Sequence, residues 1–162
     1  MYATGDKIVY GGSGVCVVTE ICTPNFSREE RGKQYYKLRP IYSSETIYAP
    51  VDTKAFIRPI ITREAAEELV ARIPEIEGKP CTSTGITMLR QQYEDFFRDH
   101  NCENYIRLIK GVQLKGESGK KLGQTDQRYM KRAEDTLYSE LAAALEIEPA
   151  KVPDYIRSVI GT

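Results

Sequence analysis

Few residues in this chain could do chemistry, and their spacing decides which kind. Four cysteines stand at positions 16, 22, 81 and 102, and no two form a Cys-x-x-Cys pair. Zinc sites draw on clusters of Cys and His, and thiol or hydroxyl nucleophiles draw on a neighbouring base. His100 is the only histidine, at the end of the polar run "FFRDHNCEN", which suits a helix end or a loop. Cys16 and Cys22 lie six apart in a strand-like run, a spacing that sets them on one face as small buried packing residues. Carboxylates are plentiful, but they fall on the polar sides of amphipathic helices, and no acid–base pair stands out among them. The expectation is therefore a protein that is not an enzyme, with no metal, no cofactor and no small-molecule ligand.

The stretch "IVYGGSGVCVV" at residues 8–18 raises the question of a phosphate cradle. Such a loop needs a helix opening directly after it, so that backbone N–H groups and the helix dipole meet the anion. Here the β-patterned "VCVVTEI" follows, no Lys-Ser or Lys-Thr comes after the last glycine, and the spacing G-x-G-x-x-G is absent. The glycines instead supply positive φ angles for a sharp turn between two strands.

Charge offers a third kind of chemistry. Lys and Arg together number 23 and so do Asp and Glu, but the distribution is uneven. Residues 1–58 carry eight basic and six acidic side chains, and residues 133–162 carry two and six. Between them, "KGESGKKLGQTDQRYMKR" at 115–132 holds six basic residues, Lys115, Lys120, Lys121, Arg128, Lys131 and Arg132, against Glu117 and Asp126. A local basic patch on a neutral chain can touch a nucleic-acid backbone without making the protein a strong general DNA binder.

The elements that must position these residues change period near residue 60. At 162 residues, 41% hydrophobic and 28% charged, the chain suits one ordinary domain or two small ones. "VCVVTEI" alternates, with Val15, Val17 and Ile21 on one face and Cys16, Val18 and Cys22 on the other. "QYYKLRPIY" sets Tyr36 and Leu38 against Tyr35, Lys37 and Arg39, and "ETIYAPV" and "AFIRPI" follow as short strands closed by prolines. Several short strands in about sixty residues predict a small, strongly bent barrel. From Thr62, a candidate N-cap, apolar stripes at helical spacing take over: Leu89, Tyr93, Phe96 and Phe97; then Cys102, Tyr105, Ile106, Ile109 and Val112; then Met130, Ala133, Leu137, Leu141 and Ala144. "VPDYIRSVI" adds a terminal helix opened by Pro153. The expected architecture is α+β, with an N-terminal β module over 1–60 and a C-terminal all-α helical bundle over 61–162. No apolar run reaches the ~20 residues of a membrane span. "MYATGDK" lacks the basic stretch and apolar core of a secretory signal, so a cytoplasmic protein is expected.

"GDKIVYGGSGVCVVTEI" resembles the opening of the CarD-like family of bacterial transcription regulators. It is also similar to the RNA-polymerase-interacting domain of transcription-repair coupling factors. The likeness continues through "QYYKLR", "TIYAPVD" and "FIRPI", and "LGQTDQRYMKRAEDTLYSELAAAL" resembles the signature helix of the CarD-like family. The helical half does not fit a translocase.

The resemblance implies a Tudor- or SH3-like β module that holds the β subunit of RNA polymerase by edge-strand addition. It implies a helical module lying against promoter DNA at the upstream edge of the transcription bubble, which stabilises the open complex. The polymerase-facing positions carry over to Thr23, Pro24, Ile47, Tyr48 and Val51, with Pro24 and Tyr48 standing where the family often has basic residues. The family's DNA wedge is a tryptophan four residues before a tyrosine; counting back from Tyr93 gives Leu89, and this chain has no tryptophan. Leu89 is either a smaller wedge in the minor groove or part of its helix's buried stripe, and Met88 is the neighbouring alternative. Family basic positions fall on Glu94 and Gln127, while Arg90, Lys120, Lys121, Arg128, Lys131 and Arg132 remain as phosphate contacts. Two readings stay open: a regulator that grips polymerase and promoter DNA, and a polymerase-binding adaptor that has lost the DNA wedge.

Overall fold

The computed structural model describes residues 2–23 and 32–161, and the chain divides into two compact units, 1–61 and 62–162. In the first, β1 (Lys7–Tyr10), β2 (Gly14–Cys22), β3 (Tyr35–Pro40), β4 (Ile47–Pro50) and β5 (Ile57–Pro59) form one antiparallel sheet in the order β4-β3-β2-β1-β5. Gly11, Gly12 and Ser13 make a single 3₁₀ turn between β1 and β2, with φ of +40° at Gly11 and +75° at Gly14. Those angles are what an L side chain resists, and they fold β1 onto β2 with Tyr10 opposite Gly14.

The predicted barrel is, among the described residues, an open ladder. Its outer strands β4 and β5 have four and three residues and each ends in a proline. Strands this short, with a residue that cannot donate, are poorly suited to closing the ladder through main-chain bonds.

The core of this unit is Ile8, Cys16, Val18, Tyr36, Leu38 and Ala49, with Ile21, Ile47, Val51 and Ile57 packed against it. Tyr36 and Leu38 share the core face as their alternation predicts. β2 does not alternate throughout. Val18 pairs with Leu38, but Glu20 pairs with Lys37, so one residue is bulged out around Thr19. After the bulge the faces exchange: Ile21 turns in opposite Tyr36, and Cys22 no longer shares a face with Cys16. Cys16 is fully buried and Cys22 only half-buried, which corrects the single-face reading.

The second unit is helical: α1 (Arg63–Arg72), α2 (Ile86–Asp95), α3 (Cys102–Glu117), α4 (Gln124–Leu145) and α5 (Val152–Ile160). Thr62 caps α1, its side chain accepting from the Ala65 amide at 3.0 Å, and Asn101 caps α3 by accepting from Glu103 N at 2.9 Å. Leu89, Tyr93, Phe96 and Phe97 are buried, as are Ala133, Leu137, Leu141 and Ala144 of α4; Met130 is half-buried. Pro153 is the second residue of α5.

The segment after α1 lies against α3 through two glycines. A Cβ on Gly111 would stand 2.5 Å from the carbonyl oxygen of Lys79, and one on Gly78 would stand 2.7 Å from the Lys110 carbonyl carbon. The Lys79 amide donates to Arg107 O at 3.0 Å, and Lys110 Nζ donates to the carbonyls of Ile73 and Ile76 at 2.7 and 2.5 Å. No helix of the described residues is long and apolar enough to cross a membrane.

Candidate nucleic-acid interface and sheet edge

The basic stretch is organised from inside by one carboxylate. Asp126, the third residue of α4, is 2% exposed. Its Oδ2 accepts from the Gly123 amide at 3.0 Å, and its Oδ1 accepts from Lys115 Nζ at 3.0 Å and from the Tyr93 hydroxyl. Burial alone would raise its pKa. The bonds from Tyr93, Lys115 and Gly123, with the charge of Lys115, outweigh that and hold it below the ordinary aspartate value. Burial, and then the bond to Asp126, push the Tyr93 hydroxyl far upward. Lys115 is thus an internal partner of Asp126 and leaves the outward-facing set of cations.

From this anchor an aromatic stack runs outward. The Tyr93 ring lies on Tyr129 with centroids 4.9 Å apart and planes 17° apart, and Phe97 sits 5.3 Å from Tyr105 and 6.2 Å from Tyr129. Arg132 places its guanidinium 4.0 Å from the Phe97 ring centroid. Oε1 of Glu94 accepts from Arg132 Nη1 at 2.8 Å and from the Tyr129 hydroxyl at 2.9 Å. Burial first, then the bond to Glu94, raise the Tyr129 hydroxyl against the charges of Arg132 and Arg90. α2 and α4 are therefore fixed to each other along the face that carries the cations.

Arg128, Lys131 and Arg132 line one shallow trough of about 520 Å³ together with Gln127, Asp135 and Thr136. Lys131 pairs with Asp135 at 3.4 Å on the same helix. Arg90 on α2 and Lys120 and Lys121 between α3 and α4 are exposed, and no ion pair among the described residues engages them or Arg128. Of the two wedge candidates, Leu89 is 8% exposed and turned into the bundle, while Met88 is 58% exposed. Leu89 contributes packing in this conformation, because its neighbours in the stripe, Tyr93 and Phe96, are buried on the same side. Ile86, 52% exposed, stands one turn before Arg90 and was not singled out from the sequence. Its place at the very start of α2, ahead of the buried stripe, is the signal for it.

In the sheet unit β4 is an edge strand, paired only with β3 among the described residues. Tyr48 is outward and 40% exposed, opposite Lys37, while Ala49 is buried opposite Tyr36. Ile47 and Val51 turn partly into the core, so what they offer outward is largely main chain. Thr23 is exposed at the end of β2, and Pro24 lies outside the described residues. The opposite edge, β5, is blunted by Pro59, whose carbonyl accepts from Arg58 Nη1 at 3.0 Å.

The thiols of Cys16 and Cys81 are pushed up to about 11 by burial, which leaves them protonated and unreactive at neutral pH. Cys102 Sγ lies 3.3 Å from Glu140 Oε1 in the interior. These three cysteines pack.

The described residues thus carry a sheet edge at β4 and, in the helical unit, a cationic trough on α4. Residues 2–61 match the family described as the CarD-like/TRCF RID domain, so the first unit is similar to the domains of that family. The match covers the β unit and ends where α1 is about to begin. No curated protein matches the chain.

Proposed function

We propose that this protein is a non-enzymatic, cytoplasmic transcription regulator that holds the RNA polymerase β subunit through β4 and touches promoter DNA through its helical unit. The observation that carries the reading is the RID-family match over the whole β unit. A Tudor-like bend of that unit presents the β4 edge to a polymerase strand, so main-chain bonds supply much of the grip and Tyr48 adds an exposed aromatic contact. On the helical unit, Arg128, Lys131, Arg132, Arg90, Lys120 and Lys121 contact phosphates, and Met88 is the apolar group available to lean on a base step near the bubble. Phosphate contacts position the protein without reading sequence, and the outcome is a change in open-complex stability.

The test is capture of the polymerase β subunit by the full chain, together with open-complex lifetimes for the wild type, Met88→Ala and a Lys120→Glu/Lys121→Glu double variant. Capture, and a lifetime that responds to the variants, supports the reading. No capture at low salt overturns it. A second reading, an adaptor that binds polymerase without engaging DNA, is favoured by the burial of Leu89 and by the Glu94–Arg132 pair. Capture with lifetimes unmoved by either variant selects that one.

A further inference from the structure

Arg132 is the trough cation that the protein itself holds most fully. Its guanidinium stacks on Phe97 and one of its nitrogens donates to Glu94, which also accepts from Tyr129. The ion pair is open to solvent, with Arg132 and Glu94 side chains 48% and 47% exposed. A carboxylate oxygen taking a guanidinium N–H and a phenol O–H makes the contacts that a backbone phosphate oxygen would make.

We infer that Glu94 is an internal phosphate surrogate, occupying Arg132 and Tyr129 until a DNA phosphate displaces it, so that the helical unit binds free DNA weakly. This rests on the reading of the trough as a DNA-phosphate site. The exchange is physically cheap on the protein side. Phe97 keeps the guanidinium in place, so only its partner changes, and an exposed ion pair is worth little enough to be replaced. Once Glu94 swings away, the Tyr129 hydroxyl is released as a second donor to the incoming phosphate. With Glu94 in place, binding must also overcome the repulsion between its carboxylate and the approaching phosphate.

The test titrates a short labelled DNA duplex with the full chain over a salt series, using wild type, Glu94→Gln, Arg132→Gln and the double variant. Thermal midpoints confirm that each is folded, and both positions are exposed enough for folding to survive. Glu94→Gln should bind roughly two- to fivefold tighter, the size of an exposed ion pair no longer broken. Its log–log salt dependence should keep close to the wild-type slope, because Arg132 neutralises the same phosphate in both once Glu94 has been displaced. In the Arg132→Gln background the same change should give a clearly smaller gain, only what relief of the carboxylate's repulsion and release of Tyr129 supply. An equal gain in both backgrounds overturns the inference, because it marks general charge removal. Wild-type binding with no gain in Glu94→Gln overturns the inference alone, whereas no binding by any of the four overturns the DNA reading with it.

Discussion

Asp126 gathers donors from three stretches of chain: Tyr93 of α2, Lys115 of α3 and the Gly123 amide that opens α4. Lys115 is itself 11% exposed, so removing the carboxylate's charge would leave an ammonium nearly buried without its counterion. Asp126→Asn should therefore destabilise the helical unit by about 3 kcal/mol, as breaking one side of a buried pair does. For a unit of this size that lowers the thermal midpoint by more than about 10 °C. The pH dependence has a definite direction. The folded pKa of Asp126 lies below its ordinary value, so its contribution is complete above that ordinary value and is lost as pH falls through the lowered one. Thermal melts of wild type and Asp126→Asn should differ widely at neutral pH and converge in acid. A gap that stays constant into acid would mean that the ionised carboxylate is not what matters.

At the scale of elements, α2 separates packing from presentation within two adjacent residues. Leu89→Ala removes buried methyl groups and should cost about 2–5 kcal/mol in denaturant unfolding. Met88→Ala, at an exposed position, should stay within about 0.5 kcal/mol. α3 carries a different constraint at Gly111, where an added Cβ meets the backbone of Lys79 and Pro80 rather than a movable side chain. Gly111→Ala should cost about 1–3 kcal/mol by forcing the two segments apart. What the sequence discloses follows from these distinctions. The helices and their buried faces are legible, because a stripe such as Leu89, Tyr93, Phe96 and Phe97 is a periodic signal. The Thr19 bulge is not legible, because it is a slip in main-chain pairing that leaves no mark in side-chain type, and it moves Ile21 inward and Cys22 away from the face of Cys16. The basic stretch is legible as a stretch, but the partners of its members are not. Lys115 is consumed by Asp126, and Arg132 is held by Glu94 and Phe97, contacts more than ten residues apart in sequence. Only Asp126 leaves a local trace, an acid in the first turn of the longest helix.

For the molecule as a whole, net charge is zero and the trough is partly self-neutralised, so on the proposed reading the helical unit by itself would be a weak partner for DNA. A grip on polymerase by the β unit would change that. The second contact then becomes intramolecular, governed by the effective concentration of promoter near the trough rather than by free affinity. The two units should accordingly fail in different ways. Tyr48→Ala should weaken polymerase capture roughly tenfold, the loss of one exposed aromatic anchor. Its effect on open-complex lifetime should be restored in full at saturating protein, because the DNA-contacting surface is intact once the protein is seated. The Lys120→Glu/Lys121→Glu variant should do the reverse, seating at wild-type concentrations while its lifetime effect levels off at a lower plateau. Open-complex lifetimes measured across a protein titration distinguish the two. A Tyr48→Ala plateau as low as that of the lysine variant would mean that the β unit does more than tether. The two contacts would then be coupled rather than additive.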